Sequence, residues 1–227
     1  MTDALFKDMS NRFPAGTAPR RIGHVHTPGS FLVGMPFQIT TTISCFLLPG
    51  DGAQAEAEFL RHLADPSEMY IIAYGFTLQP MIDQFLANHV AGDPLHIYLD
   101  HSQASGMAEK PQVKRLVDAG IEVTIGTSPE GSQFICHTKG IVCLDPAPWC
   151  WEGSVNFSVS GWHQLNTAMS FSSKDWAKNF VDQFRQIRQF AWDYERAFQL
   201  MPKPPTGVKP NPNPPPLRKR TPSVTPR

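Results

Sequence analysis

The sequence predicts an α/β fold in which helices on both faces cover a mixed β-sheet. Three observations favour this class. Short apolar runs alternate with helical patterns from Ile43 onward, two further apolar runs follow each other across a Pro-Ala-Pro turn, and a long helix with an aromatic stripe comes last. The 227 residues, of which 41% are hydrophobic, suffice for one well-packed core.

The first part of the core alternates between strands and helices. We expect strands at ISCFLL, MYIIAYGFT and LHIYLD, because each is a short apolar run. Helices are predicted over residues 53–64 and 80–91, and the second begins at a proline, which suits the first helical turn. A glycine-containing loop follows LHIYLD. A helix over residues 112–119 and the strand IEVTIG come next.

The second part begins with two paired strands, FICHTKGIVCL and WCWEGSVNF, joined by the Pro-Ala-Pro turn. A strand over residues 167–172 leads into a long helix over residues 174–198. Large apolar residues recur at helical spacing in this helix, as in a stripe that faces the core. They are Trp176, Phe180, Phe184, Ile187, Ala191 and Tyr194.

The composition predicts one catalytic domain over residues 43–200 with a flexible segment on each side. Residues 1–42 mix proline and glycine with polar residues and are predicted to form an N-terminal extension. Residues 201–227 contain ten prolines and six basic residues, which predicts a disordered tail. Such a tail solubilises the protein, captures a polyanion or binds a protein partner through its prolines.

The zero net charge conceals an uneven distribution. Residues 45–200 hold 10 basic and 18 acidic residues, a charge of −8, whereas both flanking segments are basic. An acidic body binds nucleic acid weakly unless its few cations cluster at the site.

No apolar run reaches the roughly 18 residues that cross a bilayer, and the first residues lack the apolar core of a secretory signal. We therefore expect a cytoplasmic protein. The four cysteines are dispersed, which favours reduced thiols over a disulfide framework, and no closely spaced pair supports zinc. We expect neither a metal nor a cofactor. A bridge between Cys143 and Cys150 across the hairpin is an alternative.

Four residues carry the candidate chemistry: His137, Lys139, Ser154 and Asn156. Side chains two residues apart on a strand share a face, so the first pair can address one bound anion, and the second pair repeats that spacing. Together they supply a nucleophile or base, a fixed positive charge and two neutral hydrogen-bond donors. This set suits attack on phosphorus without a metal ion.

The segments His137-x-Lys139 and Gly153-Ser154-x-Asn156 resemble the signature of the phospholipase D superfamily. The likeness extends to YIIAYGFT, to LHIYLD with its DHSQASG loop and to the final aromatic helix, in the order found in small bacterial single-motif endonucleases of that superfamily. The resemblance implies a phosphoric diester hydrolase that needs no metal ion.

The resemblance also implies a homodimer, because the chain has one copy of the motif and such relatives complete their site across a two-fold axis. His137 of one subunit would form a phosphohistidine, and His137 of the other would protonate the leaving oxygen and then activate water. Lys139 and Asn156 of both subunits would hold the non-bridging oxygens, and Ser154 would support them.

The sequence departs from the family pattern at two places. The family's Asp five residues after the Lys is replaced by Leu144, and an acid follows one position later as Asp145. Relatives also carry a downstream Glu that orients the histidine, but residues 157–170 contain no acid. The candidates for that orienting role are Glu152, Gln164 and Asn166.

The sequence is compatible with three functions. The compact single-motif form and the basic tail favour an endonuclease that cuts DNA or RNA. Hydrolysis of a phospholipid, including cardiolipin, uses the same chemistry, although no basic amphipathic helix stands out for membrane docking. The missing downstream acid motivates a catalytically weak protein that binds nucleic acid.

Overall fold

The computed structural model describes residues 42–65, 67–129, 134–193 and 197. The predicted N-terminal extension, apart from residue 42, and the predicted tail lie outside this part of the chain. The strands are β1 (Ile43–Leu48), β2 (Met69–Ala73), β3 (Leu95–Asp100), β4 (Glu122–Gly126), β5 (Lys139–Cys143), β6 (Trp149–Gly153), β7 (Asn166–Phe171) and β8 (Trp192–Asp193). The helices are α1 (Gly52–Leu63), α2 (Gln79–Ala91), α3 (His101–Ala104), α4 (Lys110–Asp118), α5 (Val159–His163) and α6 (Lys174–Arg188).

The described strands form one mixed sheet in the order β1-β7-β6-β5-β2-β3-β4-β8. Strands β2, β3 and β4 are parallel, and the other neighbouring pairs are antiparallel. As a result, β2, β3, β4 and β6 end at the same edge of the sheet at which β5 and β7 begin. We call this the motif edge.

Helices cover both faces of the sheet, which confirms the predicted fold class. On one face, Met69 and Ile71 of β2 belong to a core cluster with Phe59 of α1 and Phe85 of α2. On the other face, the ring of Tyr70 packs edge-on against Phe184 of α6, with centroids 5.2 Å apart. The alternation of side chains along β2 thus divides its residues between two helical layers.

The long last helix is shorter than predicted. It begins after Ser173, whose hydroxyl accepts a hydrogen bond from the Trp176 N–H, but it ends at Arg188 rather than at residue 198. The N–H groups of Phe190 and Ala191 bond to carbonyls three residues earlier, which tightens and closes the last turn. The chain then pairs with β4 as β8, so this strand pairing overrides the helical pattern. Tyr194 lies outside the described residues.

Two short helices lie in segments for which the sequence predicted no helix. In the loop after β3, the Asp100 carboxylate accepts the Ser102 N–H and begins α3. The hydroxyl of Ser158 accepts the Gly161 N–H and begins α5 in the same way.

The predicted strands around the motif are also too long. Strand β2 ends at Ala73, β5 begins at Lys139 and β6 ends at Gly153. The prediction that His137 and Lys139 alternate on one strand is therefore wrong, because His137 precedes β5. The N–H of Cys136 bonds to the Asp100 side chain instead of to a neighbouring strand.

The four cysteines are free thiols. Cys143 is paired with Trp149, and Cys150 is paired with Val142. Paired residues share a face, so the two thiols lie on opposite faces of the sheet and cannot form a bridge across the hairpin. Among the described helices, none is long and apolar enough to cross a membrane.

Candidate functional site

The sheet register brings the two halves of the motif to the motif edge. Lys139, the first residue of β5, is paired with Ala73, the last residue of β2. Strand β6 is paired with β5 on its other side and ends at Gly153, directly before Ser154. His137 and Asn156 extend from these strand ends, where backbone and side chains can approach a ligand.

The segment after β2, residues 74–78, lies between the two halves. The Tyr74 N–H donates to the Thr138 carbonyl at 3.0 Å, and the Phe157 N–H donates to the Gly75 carbonyl at 3.0 Å. The Phe157 carbonyl accepts the N–H groups of Thr77 and Leu78. These bonds make the segment a third part of the site, joined to both halves of the motif.

His137 presents its imidazole to solvent and packs it against one aromatic ring. The imidazole meets the ring of Tyr74 at a centroid distance of 4.6 Å and an angle of 62°. Partial burial and the charge of Lys139 lower the pKa of His137 from its ordinary value, while Asp100 acts in the opposite direction. A lowered pKa favours the neutral imidazole, which is the nucleophilic form.

Lys139 is buried beneath the site, with 2% of its surface exposed. Its Nζ donates to the His137 carbonyl at 2.6 Å and lies 5.1 Å from the centre of the Tyr74 ring, a cation–π distance. Burial lowers the pKa of this lysine, and its electrostatic interactions with Cys136, Glu152 and Asp100 oppose that shift. The ammonium is thus tied to the same backbone that carries the imidazole.

Ser154 and Asn156 have different surroundings. The Ser154 hydroxyl donates to Asn166 Oδ1 at 2.9 Å and accepts the Thr167 N–H at 3.0 Å, so it connects β6 to β7. The Asn156 side chain packs against Gly75, where a β-carbon would come within 3.1 Å of Asn156 Cβ and Cγ. Its Oδ1 is buried and has no hydrogen-bond partner among the described residues.

The four candidate supporting residues are spread around these positions. Asn166 bonds to Ser154 and, through Nδ2, to the Gly161 carbonyl at 3.0 Å, which holds α5. Gln164 is exposed at the end of α5. Asp145 is exposed two residues after the end of β5, at the opposite edge of the sheet from Lys139.

Glu152 lies over Gly140 and interacts electrostatically with Lys139. A β-carbon on Gly140 would come 2.5 Å from Glu152 Oε2, so the carboxyl group covers this glycine. Burial raises the pKa of Glu152 to about 7, while the Gly153 N–H and the charge of Lys139 oppose the shift. Within the described ranges, no hydrogen bond joins a supporting candidate to a ring nitrogen of His137.

Sequence reasoning missed residues that hold the site from β3, from α3 and from the start of α4. Asp100 Oδ2 accepts the Cys136 N–H at 2.6 Å, and Glu109 Oε2 accepts the Phe76 N–H at 2.8 Å. Gln103 Nε2 donates to the Tyr74 hydroxyl at 2.9 Å. Tyr74, Asp100 and Gln103 lie in the segments YIIAYGFT and DHSQASG and Glu109 follows them, but no local sequence pattern singles out these side chains.

The arrangement combines an accessible imidazole, a buried ammonium, and an amide and a hydroxyl at strand ends. In the described part of the chain, no three His, Cys, Asp or Glu residues group together as ligands for a metal ion. The imidazole can attack an electrophile, while the ammonium and the amide can balance negative charge that develops on it.

Comparisons with known proteins point to one family. The family model described as "Cardiolipin synthase, PLD-like domain" matches residues 61–189. Nuc from Salmonella typhimurium, a phospholipase D family member, has a similar solved structure with a TM-score of 0.58 and 20% identity, covering 68% of this chain and 98% of that chain. NucT from Helicobacter pylori has a TM-score of 0.62 and 13% identity, covering 68% and 99% respectively. Comparison with curated protein sequences gave no match.

Proposed function

Because this chain belongs to the phospholipase D-like domain family, whose members act on phosphodiester bonds, we propose that it is a metal-independent endonuclease that hydrolyses DNA or RNA. The observation that carries the proposal is the meeting of the two motif halves at one sheet edge. There, Lys139 Nζ bonds to the His137 carbonyl, and Asn156 packs against the segment that follows β2.

The proposed reaction has two displacements. A neutral ring nitrogen of His137 attacks phosphorus, the new N–P bond forms, and the bond from phosphorus to the leaving oxygen breaks while that oxygen receives a proton. Water then attacks the phosphohistidine and gives a proton to the group that protonated the leaving oxygen, and the N–P bond breaks to release the phosphate monoester and the neutral imidazole. Lys139 and Asn156 are proposed to stabilise the non-bridging oxygens in both steps.

The proton for the leaving oxygen requires a second acid. We propose that it comes from His137 of a second copy, because this chain has one His-x-Lys motif and a two-fold axis brings identical residues together. The proposal predicts a dimer in sedimentation equilibrium. A heterodimer of a wild-type and a His137→Ala subunit should be inactive, because the single remaining histidine cannot fill both roles. Half of the wild-type activity in that heterodimer would argue for a site within one subunit.

The direct test is cleavage of single-stranded DNA, duplex DNA and RNA in EDTA. Wild-type protein should cut at least one of them and His137→Ala should not, whereas His89→Ala, at the far end of α2, should cut like the wild type. Unchanged cutting by His137→Ala would refute the assignment. Acid quenching with labelled substrate should trap a phosphohistidine, which separates an enzyme from a protein that only binds nucleic acid.

A second candidate substrate, a phospholipid, is favoured by the side chains around the motif edge. Most of the exposed large apolar side chains in the described residues lie near strand ends there: Leu47 in β1, Phe134 and Ile135 before β5, Val159 after β6 and Leu165 before β7. An apolar rim suits acyl chains better than a polyanion. Liposomes containing phosphatidylcholine or cardiolipin, offered beside plasmid, distinguish the two substrates. Hydrolysis of lipid alone would replace the nuclease proposal.

A further inference from the structure

The imidazole of His137 lacks the carboxylate that would orient it in the family pattern, so another contact has to restrict its rotation. Within residues 42–65, 67–129 and 134–193, neither of its ring nitrogens has a hydrogen-bond partner, and its one ring contact is with Tyr74. A nucleophilic histidine whose ring rotates freely presents its reactive nitrogen only part of the time.

The ring of Tyr74 touches both side chains of the first motif half. It meets the imidazole at 62° with centroids 4.6 Å apart, a geometry in which the edge of one ring approaches the face of the other. The Lys139 ammonium lies 5.1 Å from the centre of the same ring. One aromatic side chain thus limits the positions of the imidazole and of the ammonium together.

Tyr74 is itself held at both ends. Its N–H donates to the Thr138 carbonyl, which anchors its backbone beside the motif. Its hydroxyl accepts a 2.9 Å hydrogen bond from Gln103 Nε2. Gln103 lies in α3, which begins where Asp100 accepts the Ser102 N–H.

These contacts form a closed circuit that begins and ends at Asp100. Asp100 bonds to the Cys136 N–H, and the next residue, His137, packs its imidazole on Tyr74. Tyr74 bonds to Gln103, and the short helix α3 connects Gln103 back to Asp100. Each residue in a closed circuit of contacts has fewer independent motions than it would have in an open series. The imidazole is therefore restrained through its backbone and through its side chain.

From this geometry we infer that Tyr74, held by Gln103, is a positioning residue for His137 and takes the place of the absent carboxylate. The inference rests on the proposed function, in which His137 is the nucleophile. The sequence had indicated Glu152, Gln164 and Asn166 as candidates for this orienting role.

The test compares Tyr74→Ala, Tyr74→Phe and Gln103→Ala, with Tyr70→Phe as the matched control. Tyr70 lies in β2, four residues before Tyr74, and its hydroxyl also makes a 2.9 Å hydrogen bond, to Glu68, but its ring faces α6. Two quantities are measured: kcat and KM for phosphodiester cleavage in EDTA, and the titration and nitrogen chemical shifts of the His137 imidazole by NMR.

Tyr74→Ala should lower kcat by about tenfold or more with little change in KM, because substrate still binds while the nucleophile is misaligned. Its His137 pKa should rise toward the ordinary value, because water replaces the aromatic ring and partial burial is the main cause of the lowered pKa. Tyr74→Phe should restore most of kcat, Gln103→Ala should resemble Tyr74→Phe, and Tyr70→Phe should match the wild type.

Unchanged kcat and unchanged imidazole signals in Tyr74→Ala would overturn the inference. So would a fall in kcat with unaltered imidazole signals, because Tyr74 would then act elsewhere. If Tyr74→Ala does not fold, Tyr74→Phe and Gln103→Ala still decide, because each removes the hydrogen bond that holds the Tyr74 ring. Both should show altered imidazole signals with a small fall in kcat, and unaltered signals in both would overturn the inference. If the wild type cuts no phosphodiester, the proposed function fails, but the NMR comparison alone still judges the positioning role.

Discussion

The backbone N–H of Cys136 donates a 2.6 Å hydrogen bond to Oδ2 of Asp100, which lies 36 residues earlier in the chain. The carboxylate is completely buried, and its other oxygen accepts the Ser102 N–H at 2.9 Å. Since Cys136 directly precedes His137, this bond fixes the backbone from which the imidazole extends. It also ties the end of β3 to the start of the motif.

Asp100→Asn should therefore weaken both stability and activity. The amide presents an NH2 group to one of the two backbone N–H groups, so one buried donor loses its acceptor, at a cost of about 1–3 kcal/mol in the free energy of unfolding. Urea denaturation measures this loss, and kcat should fall with it. Asp118→Asn on the exposed end of α4 is the control, with a change within about 0.5 kcal/mol. Equal stability and activity of the two variants would contradict the assigned role.

Features that depend on residues close together in the sequence could be predicted, whereas contacts between residues far apart in the sequence could not. The strands at MYIIA and LHIYLD and the start of α2 within one residue of Pro80 were predictable, because apolar runs and a helix-initiating proline are local signals. The motif residues were recognisable for the same reason, since their spacing is contained in two short segments.

The contacts that hold the site could not be predicted in this way. Asp100 reaches Cys136, and Glu109 reaches Phe76 across 33 residues, without any periodic pattern connecting them. The end of α6 was missed because the pairing of Trp192 with Ile125 depends on where β4 lies. In each case tertiary contact decides what the local sequence leaves open.

Gly75→Ala should lower activity through Asn156. A β-carbon at this position would come within 3.1 Å of Asn156 Cβ and Cγ, closer than ordinary contact, so the asparagine has to shift by a few tenths of an ångström. We expect a fall in kcat of about several-fold to a hundredfold, because a small misplacement of a charge-stabilising group weakens catalysis. Gly50→Ala, where the nearest atom would be 3.5 Å away, is the control. If the Gly75→Ala enzyme is fully active, the position of Asn156 does not matter for the reaction.

Glu152→Gln should change the pH dependence of cleavage at alkaline pH. Burial raises the pKa of Glu152 to about 7, so the group is charged mainly above that pH, and its charge raises the pKa of Lys139. Without the charge, the pKa of Lys139 falls further, and the alkaline limb of kcat/KM should move to lower pH. Well below pH 7 the variant should match the wild type, because both side chains are neutral there. Asp182→Asn on α6 is a control that leaves the profile unchanged. An upward shift, or none, would rule out this coupling.

Glu109 makes the stability of the fold depend on pH. It is 3% exposed, and its Oε2 accepts the Phe76 N–H at 2.8 Å, which secures the segment between the two motif halves. Burial raises its pKa from 4.5 to about 8, with the Phe76 N–H opposing the shift and Asp100 reinforcing it. The folded protein therefore keeps a proton that the unfolded chain loses above its lower pKa.

Because the pKa of Glu109 is higher in the folded state, the free energy of unfolding falls as the pH rises. Below pH 4.5 both states are protonated and this group imposes no penalty, whereas between pH 4.5 and about 8 the unfolded state loses its proton first. The free energy of unfolding should fall in that window by as much as about 1.4 kcal/mol per pH unit. Glu109→Gln keeps an oxygen for the Phe76 N–H and removes the titration, so its stability should stay higher as the pH rises. Urea denaturation from pH 5 to about 9 measures the difference, with Glu58→Gln on α1 as the control. Parallel pH curves for wild type and Glu109→Gln would show that this carboxyl group is ionised in the fold and stabilised by its surroundings.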